Sequence, residues 1–383
     1  MRFHTEWGPA RWGAGGLAVA ALLLSALGLA VLVQDALVGS FGWGPVVAQL
    51  AGAGAGCAGF RWLTPRSLNR RATRRALLCV AALVCAPGVL ALPLFVLRSR
   101  SPWGIDIAES LQTGVLGLGA VIVCAWSDVR PVTRFDRRGA TWALLALVFI
   151  VGPFAFLVLL LRDVGVFLTI VVTTCLVLRG GGFRWRAALM PLVLVLGFVT
   201  WSMVSVDYRR VRLTTFVTRL VWERSALERR SLAGAMMRRR EWIDQPASRW
   251  FFYGDLPPRA ARDLAAARLV GDAGAAALVP VVLLFAYIAR AGFDSARCEP
   301  PGGRRALVAG MSTLVVLPAA LHIVGCVVLL NAQAGPLPFV SYGPGELVID
   351  WLALGLVAGS LGDHPGSTRR GADCAVLFVE ARG

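Results

Sequence analysis

The chain has 383 residues, 57% of them hydrophobic and only 16% charged, with a mean hydropathy of +0.68. That composition excludes a soluble globular protein and puts the chain in the polytopic membrane class. A formal charge of +17 would suit nucleic acid in a soluble domain, but here the basic side chains, all of them arginine, fall in the gaps between apolar blocks. This is the pattern of the positive-inside rule, so no nucleic-acid partner is expected.

About 20 apolar residues are needed to cross the hydrocarbon core. Ten blocks qualify, at approximately 13–34, 43–61, 76–97, 105–126, 141–161, 164–179, 187–207, 264–289, 306–330 and 346–362. Backbone polar groups inside lipid must pair within the segment, and these Ala/Leu/Val-rich blocks lack strand alternation, so the expected fold class is an all-α polytopic membrane protein of about ten transmembrane helices. The first block is longer than a signal-peptide core and reads as a retained span. No repeat or low-complexity tract divides the chain, and residues 1–383 read as a single membrane domain.

Ten spans put both termini on one side. The termini and the gaps at 61–75, 127–140, 179–186 and 290–305 hold 22 arginines, against three in the short loops facing the other way, so both ends are expected to be cytoplasmic. The segment of about 208–263 is then a large extracytoplasmic loop, and about 363–383 a cytoplasmic tail. From Tyr208 to Arg262 the loop carries 13 arginines against five acidic residues, interleaved with Trp222, Trp242, Trp250, Phe251, Phe252 and Tyr253. A loop of this length translocates largely regardless of charge. Arginine with aromatic side chains suits either adhesion to anionic headgroups or capture of a phosphate-bearing substrate.

Ionisable groups in or beside spans call for a partner, water or a task. Asp106 and Glu109 fall in the fourth span, Asp163 between the fifth and sixth, Arg268 and Asp272 in the eighth, and Glu346 and Asp350 in the tenth. Arg268 and Asp272 are four apart, close enough on one helix face to neutralise each other. Glu346 and Asp350 share that spacing and the same sign, so they need arginines from elsewhere or an aqueous cavity. The eight cysteines and the scattered His4, His322 and His364 show no zinc spacing and no disulfide framework, and no metal site is expected.

Two further stretches carry pattern. GDLPPRAARDLAAARLVGDAG, from Gly254 to Gly274, ends the polar loop and starts an apolar helix with Asp263 at the border, a position that suits a helix cap or a catalytic carboxylate. AGPLPFVSYGPGE, just before the tenth span, combines three prolines and three glycines. It is too poor in helix formers to be helical and too polar in backbone to face lipid, so it must be a shaped loop packed on protein.

The last stretch resembles the signature loop of the SEDS family, the FtsW and RodA proteins of bacterial division and elongation, which typically read Leu-Pro-Phe-x-Ser-Tyr-Gly-Gly there. Three more matches follow the family's order. Pro258, Asp263, Asp272 and Gly274 fit its Pro-x-x-x-Thr-Asp-Phe segment and the continuation into the eighth span. Asp163 and Gly165 of RDVG fit its element between the fifth and sixth spans. YRRVRL at the start of the large loop fits Tyr-Arg-x-x-Arg-Leu. In the fourth span only Glu109 of DIAESLQ is retained. Pro344, Arg262 and Gly271 stand where the family has Gly, Thr and Glu.

The resemblance implies a peptidoglycan glycosyltransferase that polymerises lipid II, an undecaprenyl-pyrophosphate precursor, at the outer face of the bacterial cytoplasmic membrane in cell division or elongation. It implies Asp263 as the catalytic base and Arg209, Arg210 and Arg212 as pyrophosphate ligands, with Glu109, Asp163, Asp272, Ser341 and Tyr342 lining the substrate site. The expected partners are lipid II, membrane lipids and a class B penicillin-binding protein transpeptidase. No cofactor is fixed by the residues; a divalent cation, magnesium or manganese, stays open as an aid to the departing pyrophosphate. Two alternatives stand beside the enzyme: a catalytically degenerate SEDS-like scaffold for a transpeptidase or divisome complex, and a flippase or transporter of a lipid-linked precursor.

Overall fold

The computed structural model describes residues 14–38, 43–62, 164–182, 189, 193, 197, 264–299, 303–328 and 336–362. Seven α-helices lie among them: α1 (Ala14–Val38), α2 (Gly44–Trp62), α3 (Val164–Gly180), α4 (Ala265–Ala273), α5 (Leu278–Cys298), α6 (Gly303–Ile323) and α7 (Pro344–Gly362). No strand occurs among the described residues, in agreement with the all-α expectation. Among the described residues, three helical stretches are long and apolar enough to cross a membrane: Ala14–Gln34, Ala275–Cys298 and Arg304–Cys326. The chain is an integral membrane protein. The expected third, fourth, fifth and seventh spans lie outside the described residues.

Helices α6 and α7 occupy the centre. α6 packs on α3, α5 and α7, and α7 packs most extensively on α2 and also on α1. The inward face of α7 carries an apolar row, with Leu347, Trp351, Leu354 and Val357 buried, beside the buried Glu346 and Asp350. Burying such side chains is worth about 1.5–3 kcal/mol each when the alternative is water. Inside a bilayer lipid is equally apolar, so close packing takes over that role, and small residues let helices approach. Gly52 of α2 shows how close: a Cβ there would fall 2.7 Å from the Pro344 carbonyl oxygen at the start of α7. The outward faces stay apolar, with Leu22 and Leu23 of α1 and Val279, Val282 and Leu283 of α5 exposed toward where lipid lies.

The bundle has polar ends of unequal charge. Arg61, Arg179, Arg297, Arg304 and Arg305 end α2, α3 and α5 or begin α6. Glu299, buried in the turn between α5 and α6, pairs with Arg304 Nε at 3.0 Å, and Arg304 Nη2 donates to the Ser360 carbonyl at the end of α7 (3.0 Å). These contacts tie the start of α6 to the ends of α5 and α7. The start of α7, the end of α6 and the start of α5 therefore share the opposite end of the bundle.

One expected span is not continuous. The block at 264–289 contains no proline before Pro280, and its Ala/Leu content favours an unbroken helix. The structure instead ends α4 at Ala273 and turns at Gly274 (φ 84°, ψ 171°), whose N–H donates to the Val270 carbonyl (2.9 Å). A single 3-10 turn, Ala275–Ala277, then leads into α5. That backbone conformation is available essentially to glycine alone. The membrane-crossing helix is α5, with Val281, Phe285, Ile288 and Ala291 facing inward; α4 is a short helix packed inside protein, from Leu264 to Val270 buried throughout.

Candidate functional site

The Pro/Gly-rich loop at 336–343 is built as expected, a non-helical segment packed on protein, with residues 336–341 buried. Its turn closes on itself. Ser341 N–H donates to the Leu337 carbonyl (2.9 Å), and Leu337 N–H donates to Ser341 Oγ (2.7 Å). Val340 N–H reaches the Pro338 carbonyl at 2.8 Å. Phe339 adopts φ 63°, a left-handed conformation that an aromatic side chain takes only under constraint. The constraints are visible: Phe339 N–H donates to Asp350 Oδ2 (3.2 Å), and its ring meets Trp351 edge-on with centroids 5.9 Å apart.

A second clamp comes from α2. Gln49 is 1% exposed; its Nε2 donates to the Ser341 carbonyl (3.2 Å) and its Oε1 accepts the Gly343 N–H (3.1 Å). One amide thus pairs a backbone acceptor and a backbone donor across the loop's tip, satisfying groups that lipid would leave bare. The sequence reading passed over Gln49, although a lone amide in the apolar second block is the kind of signal that marks a polar task.

Of the expected site residues, the structure brings Ser341 and Tyr342 together in this loop. Ser341 is buried, its hydroxyl spent on holding the turn, while Tyr342 is half-buried against Leu32, Ala36 and Val46 of α1 and α2. Asp350, expected to need arginine or water, has a backbone amide as the partner the structure shows. Glu346 is buried in the first turn of α7, where a carboxylate also meets the positive end of the helix dipole. Pro344, a departure from the family pattern, is the first residue of α7, the position where proline is best tolerated.

Asp272 lies on α4 one turn after Arg268, which is buried. The side chain of Asp272, and the whole of Asp163, Glu109, Arg209, Arg210, Arg212 and Asp263, lie outside the described residues. Leu264, which follows Asp263 in the chain, is the N-cap of α4 and is fully buried. α4 has no side-chain cap of its own; instead Ala266 N–H donates to His322 Nε2 (3.2 Å) from the last turn of α6. Just past His322, α6 passes into a π-helical turn, Val324–Val328, that packs on α4. The sequence reading noted His322 only as one of three scattered histidines. Among the described residues no group of three or more His, Cys, Asp or Glu side chains is arranged to hold a metal ion.

The start of α4 and the 336–343 loop thus occupy the same end of the bundle, away from the arginine-rich end. The loop is held by side chains from two helices, and the start of α4 beside that end of the bundle is buried.

No family model matches the chain. It is 27% identical over 246 residues to a probable peptidoglycan glycosyltransferase FtsW from Alkalilimnicola ehrlichii, a match covering 62% of this chain and 59% of that relative's length. Among solved structures it superposes on a chain of a peptidoglycan synthase complex described for its coordination of polymerization and crosslinking, with a TM-score of 0.59 at 18% identity, covering 92% of this chain and 98% of that one. It also superposes on the rod shape determining protein RodA of Thermus thermophilus, with a TM-score of 0.51 at 18% identity over 91% of this chain and 97% of that one. The fold is that of these proteins along nearly the whole chain, and the signature loop that suggested the family in sequence is the loop the structure builds. The chain is thus similar in sequence to an FtsW protein over 246 residues and shares its fold with RodA, and it spans about three-fifths of the length of the curated relative it matches.

Proposed function

We propose that this protein is a peptidoglycan glycosyltransferase that polymerises lipid II at the outer face of the bacterial cytoplasmic membrane, with Asp263 as the general base. The observation that carries the proposal is the largely buried Leu337-Pro338-Phe339-Val340-Ser341-Tyr342-Gly343 loop, held by Gln49 and Asp350 at the end of the bundle where α4 begins two residues after Asp263. The likeness to FtsW over 246 residues supports the same reading. In the reaction an acceptor-sugar hydroxyl oxygen bonds to the donor's anomeric carbon as the bond from that carbon to the pyrophosphate oxygen breaks. The hydroxyl proton passes to the Asp263 carboxylate. The departing pyrophosphate carries the electron pair and is neutralised by Arg209, Arg210 and Arg212, whose forked guanidinium groups match phosphate oxygens. Glu109, Asp163 and Asp272 complete the polar lining; Ser341 and Tyr342 belong to the loop that supports it.

The arginine-rich end of the described helices supports a cytoplasmic placement for that end and for both termini, and with it a site at the outer face. The FtsW relative and the synthase-complex neighbour support a class B penicillin-binding protein as partner. The test is polymerisation of lipid II by the purified full chain, with and without such a transpeptidase. The wild-type protein is expected to make glycan strands and a folded Asp263→Asn variant none; normal polymer from that variant overturns the assignment.

A second reading, a scaffold without catalysis, draws on Gly271, which stands on buried α4 where the family carries Glu. It predicts that the folded wild-type protein binds the transpeptidase yet yields no polymer under any partner condition.

A further inference from the structure

We infer that His322 is a positioning residue for the proposed reaction: its Nε2, accepting the Ala266 N–H, fixes the first turn of α4 and so the point at which the chain arrives from Asp263. The inference rests on the reading of Asp263 as the base.

Helix α4 has nine residues, too few to be stable alone, and its first-turn N–H groups need acceptors. The usual solution is a Ser, Thr, Asp or Asn side chain at the N-cap, but the N-cap here is Leu264, with no side-chain cap. The acceptor comes instead from 56 residues further along the chain, His322 at the end of α6, 3.2 Å from Ala266 N. Cys326 Sγ lies 3.6 Å from the same ring nitrogen. The Ala266 N–H directed at Nε2 requires that nitrogen to be the unprotonated one, with the ring proton on Nδ1. His322 and Cys326 are each 0% exposed, so neither contact competes with water.

Just past His322, α6 widens into the π-helical turn at Val324–Val328, which also packs on α4, so the end of α6 meets α4 through the imidazole and through this turn. A histidine that merely fills the core would be satisfied by any neighbour. This one is bonded to the second residue of a helix otherwise uncapped, three residues after Asp263 in the chain. Asp263 is joined to that turn through Leu264 alone, so the turn sets the attachment point of the proposed base, and misplacement of a reacting group by an ångström lowers rates by about a hundredfold.

The test compares His322→Gln, which keeps a side-chain acceptor, with His322→Phe, which keeps bulk and loses it, in the full-length protein. Lipid II polymerisation is read as kcat and KM, and hydrogen exchange is read over residues 264–270. His322→Phe is expected to lower kcat about tenfold to a hundredfold with KM nearly unchanged, and to speed exchange in that segment. His322→Gln is expected to recover most of both. Wild-type kcat and wild-type exchange in a folded His322→Phe variant overturn the inference, as does equal loss in both variants when both are folded. Should His322→Phe fail to fold, His322→Gln decides: retained protection and kcat support the inference, and loss of both overturns it. If the wild-type protein makes no polymer under any condition, the reading of Asp263 fails, whereas the hold of His322 on α4 is decided by the exchange data alone.

Discussion

The 336–343 loop and the α4–α5 segment solve one problem by opposite means. Each leads irregular backbone into a membrane helix at the same end of the bundle, where unpaired N–H and C=O groups are costly. The loop is irregular because its composition forbids anything else, with three prolines and three glycines around it, and its backbone groups are paired by side chains from two helices, Gln49 and Asp350. The α4–α5 segment has a composition that favours helix and is broken all the same, at one glycine, with a single imidazole from α6 at its start. The first irregularity is written in local chemistry; the second is imposed by packing.

The comparison is broken most severely at the loop clamp. Gln49→Leu leaves the Gly343 N–H and the Ser341 carbonyl without their partner, and it is expected to destabilise the protein by about 3 kcal/mol, measured as the unfolding midpoint in detergent. Gln49→Glu, which still accepts from Gly343 and no longer donates to Ser341, falls between that variant and the wild type. If the leucine variant is as stable as the wild type, the loop is held by apolar packing alone.

Next comes the helix break. Gly274→Ala forces a Cβ into a conformation that residues with side chains avoid, and the expected loss is about 1–3 kcal/mol in the same unfolding measurement. A neutral result shows that α4 and α5 can join as one helix, which removes the contrast between the two regions. The smallest effect belongs to the arginine-rich end. Asp294 of α5 pairs with Arg290 and Arg297 at 3.7 and 3.3 Å, but all three are exposed to the aqueous side. Asp294→Ala is expected to change stability by no more than about 0.5 kcal/mol, and a larger loss reveals a network rather than isolated surface pairs.

Much of the fold was legible in the sequence because lipid imposes so strict a rule. Helix bounds for α1, α2, α3 and α7 fall within a few residues of the apolar blocks at 13–34, 43–61, 164–179 and 346–362. The signature loop was legible because proline and glycine leave few backbone options. The site was less so. Ser341 and Tyr342 were found through the motif, yet the groups that hold their loop, Gln49 and Asp350, come from positions 292 and nine residues away from Ser341, and no local pattern links them. His322 was passed over because the reading looked for histidines near one another in sequence, whereas its partner is a backbone N–H on another helix.

By itself the sequence determined the membrane class, the placement of most of the described helices, the irregular loop and the likeness to FtsW and RodA, all of which follow from hydropathy, from proline and glycine, and from short motifs acting over a few residues. Only the tertiary structure decided that the eighth apolar block is two helices, that a glutamine and an aspartate hold the loop, and that a histidine caps the helix after Asp263. Those features depend on which backbone groups are left unpaired once the helices have packed, and that is a property of the assembled bundle.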